Sequence, residues 1–167
     1  MTASIALPTG YQHPAVPALL GYLRDVTAEL GIGLESCTVD HATPLSAYVA
    51  LDTRLPHYPD RDVALLWDEE RGWAAAIETH SGEDLIVLRH LGGPTVVPPP
   101  RRVARFVTAL HEDDHTVGRP DPITLRTAGD ADGLIFPPRA GALPPARPGA
   151  RDGGKTQHSG DVRPSSR

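Results

Sequence analysis

Five consecutive residues, His111-Glu112-Asp113-Asp114-His115, match the H-E-x-x-H pattern of zinc hydrolases. In that pattern two histidines one helical turn apart bind the metal, and the glutamate acts as general base. Here Gly118 and Pro120 follow closely and stop regular structure, and no later glutamate can supply a third ligand. The motif therefore favours a solvated helix end, with His111 and His115 as an alternative metal pair of a metal-dependent hydrolase.

A second set of reactive side chains lies in residues 54–61, a loop held by two prolines. Its polar members are Arg54, His57, Tyr58 and Arg61. Guanidinium, imidazole and phenol groups recognise anions or acidic partners, so the loop is a candidate binding site for an anionic small molecule. The same residues are also explained by a loop whose charges pair at the entrance of the next strand.

The remaining polar clusters indicate no catalytic chemistry. Asp68, Glu69 and Glu70 fall in a tight turn, where we expect solvated carboxylates. Cys37, the single cysteine, lies on a predicted strand and is expected to be an inert thiol. The sequence has no recognisable set of nucleophile, base and orienting group, and it has no phosphate-binding loop. We therefore expect no cofactor and lean against an enzyme.

The elements that position these residues follow from hydrophobic periodicity. Helical spacing predicts a first helix that ends at Gly31, and a second helix opened by Pro100. Between them, alternation predicts strands over residues 34–39, 45–51, 63–68, 73–79 and 85–91. Short connections favour antiparallel pairing. The predicted fold is α+β, with an antiparallel sheet of about five strands in α-β-β-β-β-β-α order and two helices on one face.

Apolar residues are predicted on both sides of this sheet. Alternation places Leu45, Ala47, Val49, Leu51, Val63, Leu65, Trp67, Trp73, Ala75, Ile77, Leu85 and Val87 on one side. It places Tyr48, Ala50, Ala64, Leu66, Ala74, Ala76, Ile86 and Leu88 on the other. Such a face needs a cover, which is residues 123–136, a second copy of the chain, or a ligand or partner protein. Tyr48 and Leu66 are therefore further candidates for partner binding.

Composition divides the chain of 167 residues into a folded body and a tail. We expect a flexible N-terminus at 1–13, an α+β domain at 14–117, a loosely docked segment at 118–136 and a disordered tail at 137–167. In the tail, 14 of 31 residues are Gly, Pro or Ser, and its net charge is +4. The rest of the chain carries −9, so that the whole chain has a net charge of −5, and this acidic body argues against nucleic-acid binding.

The same composition bounds the compartment. A single cysteine allows no internal disulfide and is typical of a reducing compartment. No run approaches the ~20 apolar residues of a membrane-spanning helix, and the first residues lack the features of a signal peptide. We expect a soluble cytoplasmic protein that does not associate with membranes.

The central residues resemble a known family. Tyr48-Val49-Ala50-Leu51-Asp52 and Leu65-Leu66-Trp67-Asp68-Glu69-Glu70-Arg71-Gly72-Trp73 are similar to an uncharacterised actinobacterial group, domain-of-unknown-function family 6292. The resemblance extends from about His13 to about Leu110 and implies no activity. Together these observations favour a non-catalytic regulatory or protein-interaction module that acts as a homodimer or with an unknown protein partner. A small-molecule-binding domain is the alternative.

Overall fold

The computed structural model describes residues 13–82, 84–130 and 132–138. The helices are α1 (Val16–Leu30) and α2 (Pro100–His111), and a single 3-10 turn spans Leu34–Ser36. The strands are β1 (Cys37–Asp40), β2 (Ser46–Leu51), β3 (Val63–Asp68), β4 (Gly72–Glu78) and β5 (Leu85–His90). Neither helix in these ranges has the length and apolar character required to cross a membrane. The predicted N-terminal segment and tail fall almost entirely outside the described residues.

The five strands form one antiparallel sheet in the sequence order β1-β2-β3-β4-β5. Both the α+β class and the predicted element order are confirmed. One difference is at the start of β1, where residues 34–36 form a 3-10 turn instead of strand. Helix α1 ends as predicted, because Gly31 adopts the left-handed conformation with φ of 73°.

Both helices pack on one side of the sheet, here called the helix side. Their apolar stripes meet alternate strand residues and form the main core. Its most buried members are Leu19, Leu23, Val26, Leu45, Val49, Leu65, Trp67, Trp73, Ala75, Val103 and Phe106. A smaller cluster of Leu55, Val63 and Ile77 continues this core toward the loop at 54–61.

Hydrogen bonds anchor the two tryptophans of the core. Trp67 Nε1 donates to the Val96 carbonyl oxygen at 2.7 Å. Trp73 Nε1 donates to the Tyr22 hydroxyl at 3.0 Å, and that hydroxyl donates to the Pro98 carbonyl oxygen at 2.7 Å. Burial raises the pKa of Tyr22 far above its ordinary value. The chain leading into α2 is therefore fixed to both β3 and β4.

The segment at 123–136 completes the helix-side core. Leu134 is buried in that core, and the Phe136 ring centroid lies 5.6 Å from that of Tyr22 and 6.5 Å from that of Trp67. These contacts lie on the helix side, so the described part of this segment does not cover the opposite side of the sheet. The proposed boundary between a domain at 14–117 and a segment at 118–136 stays a prediction.

Glu69 corrects the expectation of a solvated turn between β3 and β4. Its side chain has no exposed surface. One carboxylate oxygen accepts a hydrogen bond from the Leu45 amide at 2.8 Å, and the other lies 3.1 Å from Arg126 Nη1. A buried carboxylate is tolerated here because a distant arginine and a backbone amide compensate for its desolvation.

Strand β5 also differs from the predicted alternation. The alternation predicts Leu85 and Val87 on the helix side, but both pair with β4 residues of the opposite side, here called the second side. Ile86 lies on the helix side, and Leu88 packs against the smaller core cluster. The turn before β5 and a β-bulge in the β4–β5 pair set this register, and alternation alone identifies neither.

Candidate functional site

A cleft of about 430 Å³ lies where the loop at 54–61, strand β5 and the end of α2 meet. Its lining residues are Leu55, His57, Tyr58, Leu88, Arg89, Ala109, Leu110, Asp113, Asp114 and His115. The two sequence motifs that carry reactive side chains thus meet in one place, although His57 and Asp114 are 57 residues apart in the sequence. The floor is aliphatic and the rim is polar, which is typical of a binding cleft.

The loop side of the cleft is built on a buried leucine. Leu55 is 5% exposed and belongs to the smaller core cluster. The Tyr58 amide donates to the Leu55 carbonyl oxygen at 2.9 Å, which closes a turn and places His57 and Tyr58 at the rim. The base of the loop is tied by an ion pair of 2.6 Å between Arg54 and Asp62.

The other side of the cleft is the C-terminal end of α2. The Asp114 amide donates to the Ala109 carbonyl oxygen at 2.8 Å, and the Asp113 amide donates to that of Leu110 at 3.4 Å. This is the Schellman pattern, in which the residue after the cap is left-handed and usually glycine. Asp113 occupies that position with φ of 58°. An aspartate there costs more than glycine but places a carboxylate at the cleft.

The Asp113 carboxylate lies between two imidazoles. His57 Nε2 is 3.1 Å from Oδ2, and His115 Nε2 is 3.4 Å from Oδ1. The hydrogen bond with His57 lowers the pKa of Asp113, and the charges of both histidines add to that effect. Asp113 therefore links the 54–61 loop to the end of α2.

Arg89 fixes the chain that follows α2. Its Nε donates to the Val117 carbonyl oxygen at 2.8 Å, and its Nη2 donates to that of Gly118 at 3.2 Å and to that of His115. The guanidinium satisfies carbonyl oxygens left free after the helix end. Arg89 thus acts as a structural clamp behind the cleft.

The other predicted site residues lie elsewhere. Arg54 is paired with Asp62, and Arg61 Nη1 donates to the Glu78 carbonyl oxygen at 3.1 Å. Neither arginine lines the cleft. Tyr48 and Leu66 pair with each other on the second side of the sheet. The anion-binding loop is therefore not assembled as a group of four side chains.

His111 and His115 are not brought together. His111 Nε2 lies 2.9 Å from the Thr53 hydroxyl and lines a separate cavity between α1 and α2, whereas His115 lines the cleft. Helix α2 ends at His111, so the one-turn spacing that a zinc pair needs is not formed. Within the described ranges, no group of three or more His, Cys, Asp or Glu side chains could hold a metal ion.

The edge of β5 is a second candidate surface. Strand β5 lies at an edge of the sheet, and its aliphatic residues Leu85, Ile86 and Val87 are 39%, 48% and 44% exposed. Alternation along the sequence assigns these side chains to buried faces of the sheet. Their exposure can be recognised only once the strand order, with β5 at the edge, is known. The sequence signal that could have identified the surface is the absence of any charge between Asp84 and Arg89.

A comparison with known families identifies the family of the chain. The profile of the family of unknown function DUF6292 matches residues 22–109, more than half of the chain. The chain belongs to DUF6292. The match includes all five strands and most of α2, but it ends before Asp113 and His115. No curated protein and no solved structure matches this DUF6292 protein at a significant level.

Proposed function

We propose that this DUF6292 protein is a non-catalytic protein-interaction module that associates with a second copy of itself through the edge of β5. The observation that carries the proposal is the exposure of three consecutive aliphatic side chains, Leu85, Ile86 and Val87, on an edge strand. Edge strands are normally protected by charged residues, prolines or bulges, because their free backbone groups pair with other chains.

The two edges of the sheet differ in this protection. The opposite edge, β1, carries exposed Thr38 and Asp40 on its second side, and the charge of Asp40 disfavours pairing. On β5 no charged residue lies between Asp84 and Arg89. The bulge in β5 lies after Val87, so the three exposed residues form a regular strand.

The free part of the edge is short and clearly bounded. At its C-terminal end, His90 and Arg119 exchange backbone hydrogen bonds of 2.7 and 2.8 Å, so that position is already paired. At its N-terminal end, the Asp84 carbonyl oxygen accepts from the Thr79 amide at 2.9 Å in the preceding turn. The exposed residues 85–87 lie between these two bonded positions, and Ile86 is at their centre.

A second copy is the partner that fits this stretch. In an antiparallel pair, opposed residues lie on the same side of the sheet, so a two-fold axis at Ile86 places Leu85 beside Val87 of the other copy. Both are on the second side, and the two Ile86 side chains meet on the helix side. The seam then contains only aliphatic contacts and leaves no charge unpaired.

Light scattering coupled to size exclusion tests this proposal on the full chain. A seam centred on residues 85–87 is smaller than a standard interface, so we expect dimers to form over a range of about 1 µM to 1 mM. Ile86→Lys should raise the dimer dissociation constant at least tenfold, because it buries an unpaired charge. Thr38→Lys, on the other edge, is the matched control and should leave the constant unchanged.

Two outcomes would overturn the proposal. One is a full chain that stays monomeric across the range, and the other is Ile86→Lys associating as strongly as the parent chain. Circular dichroism establishes that both variants are folded. We do not extend the proposal to hydrolysis, since His111 and His115 line different cavities.

A further inference from the structure

Helix α2 carries three arginines in its first two turns, and two of them border a cavity distinct from the cleft. Arg102 and Arg105 line a space of about 390 Å³ together with Leu91, Thr116, Val117 and Gly118. Residues three apart on a helix lie on the same face, so the two side chains are neighbours on α2. The third arginine, Arg101, borders a different cavity beside α1.

The charges of these arginines are not equally neutralised. Arg101 Nε lies 3.5 Å from a Glu29 carboxylate oxygen. Arg102 and Arg105 form no ion pair and no side-chain hydrogen bond within the part of the chain that the structure describes. Two cationic groups without carboxylate partners thus border one cavity of an otherwise acidic protein.

Glycines allow the arginines to approach the backbone. A Cβ at Gly93 would lie 2.7 Å from Arg102 Nη2, so this guanidinium rests directly on the Gly93 backbone, where φ is +110°. A Cβ at Gly92 would lie 3.1 Å from Cδ of Arg119, so the Arg119 side chain packs against Gly92. The two-glycine turn after β5 is thus in contact with the side chains of Arg102 and Arg119.

We infer that this cavity binds a small phosphate-bearing molecule through Arg102 and Arg105. Guanidinium groups present planar pairs of N–H donors that match phosphate oxygens, and they remain charged at all physiological pH values. Leu91 and Val117 provide an apolar wall for the organic part of the ligand. The volume lies within the range of small-molecule sites.

This site differs from both surfaces described above. Arg54 and Arg61, the arginines that the sequence offers for an anion, are bound to Asp62 and to the Glu78 carbonyl oxygen. Neither Arg102 nor Arg105 belongs to β5 or lines the cleft of His57 and Asp113. Phosphate binding therefore stands or falls independently of self-association.

Isothermal titration calorimetry of the full chain with inorganic pyrophosphate tests the inference. We expect saturable binding that weakens at least tenfold in the double variant Arg102→Gln/Arg105→Gln. Arg101→Gln is the control, since it removes one arginine charge, against two in the double variant, from the same helix outside the cavity, and it should change the affinity less than twofold. All titrations share one buffer at about 0.15 M salt, which screens exposed charges beyond about 8 Å.

Two results would overturn the inference. The absence of saturable binding up to about 10 mM pyrophosphate means that the cavity is not a phosphate site. An equal loss of affinity in Arg101→Gln means that pyrophosphate responds only to the net charge of the helix. Thermal unfolding of each variant without ligand, expected to match the parent, excludes a folding defect.

Discussion

The Tyr48 hydroxyl donates a 2.7 Å hydrogen bond to Glu78 Oε1, and this bond connects β2 to β4 across β3. The pairing register places Ala64 of β3 between the two side chains, and both Ala64 and Ala76 have no exposed surface. The middle of the second side is therefore closed by its own side chains. The exposed apolar surface of the sheet lies instead at β5.

The Tyr48 phenol should titrate at high pH. Burial and then the hydrogen bond to Glu78 raise its pKa to about 12. The pKa of an unfolded tyrosine is about 10, so this stabilisation is complete below about pH 10 and is lost as pH rises through about 12. Spectrophotometric titrations of the parent and Tyr48→Phe should differ by one phenol ionising near pH 12. A difference centred near pH 10 would contradict the bond.

Tyr22→Phe should destabilise the fold by about 1–3 kcal/mol, because it leaves the Trp73 indole N–H and the Pro98 carbonyl oxygen without their buried partner. Urea unfolding measures the effect. Tyr58→Phe is the matched control, since that side chain lies at the exposed rim of the cleft, and it should change stability by less than about 0.5 kcal/mol. Equal effects of the two substitutions would show that the buried network contributes nothing specific.

Arg126→Ala should lower the free energy of unfolding by about 3 kcal/mol, since it leaves the Glu69 carboxylate buried and unpaired. In a Glu69→Gln background the same substitution should cost much less, because no charge remains to be compensated. A double-mutant cycle from urea unfolding measures the coupling. Strictly additive effects would mean that the pair does not fix the C-terminal segment to the β3–β4 turn.

His57→Ala should raise the pKa of Asp113 toward its ordinary value, because the hydrogen bond with His57 is the largest cause of its depression. A carboxyl group with a depressed pKa stabilises the fold at pH values above its unfolded-state pKa. This stabilisation is lost as pH falls through the folded-state pKa. Carboxyl NMR titration measures the pKa directly. His115→Ala, which removes only a charge effect, should shift it less, and an unchanged value in His57→Ala would show that the loop and helix end are not linked.

Local pattern was sufficient for most of the fold. The apolar stripe and Gly31 defined α1, and the turn residues between successive strands defined the meander. Glu69 could not be predicted, because its burial depends on Arg126, 57 residues later in the chain. Alternation also could not predict which β5 side chains lie on which side of the sheet, since one bulge changes which residues share a face.

The candidate site was predictable only in part. His57, Tyr58 and His115 were identified by residue type, and the structure brings them to one cleft. The linking role of Asp113 cannot be predicted from residue type, because its position depends on a left-handed backbone after α2. The exposed β5 edge has only a weak sequence signal, the uncharged stretch between Asp84 and Arg89, because exposure of an apolar strand depends on which strands flank it.

Site-directed cross-linking tests the central proposal most directly. Ile86→Cys, in a Cys37→Ser background, places identical thiols at the proposed two-fold axis, where a short bismaleimide can join them. We predict rapid formation of a covalent dimer from Ile86→Cys and none from Thr38→Cys in the same background. Absence of a cross-link at Ile86, or an equal yield at Thr38, would contradict association through the β5 edge.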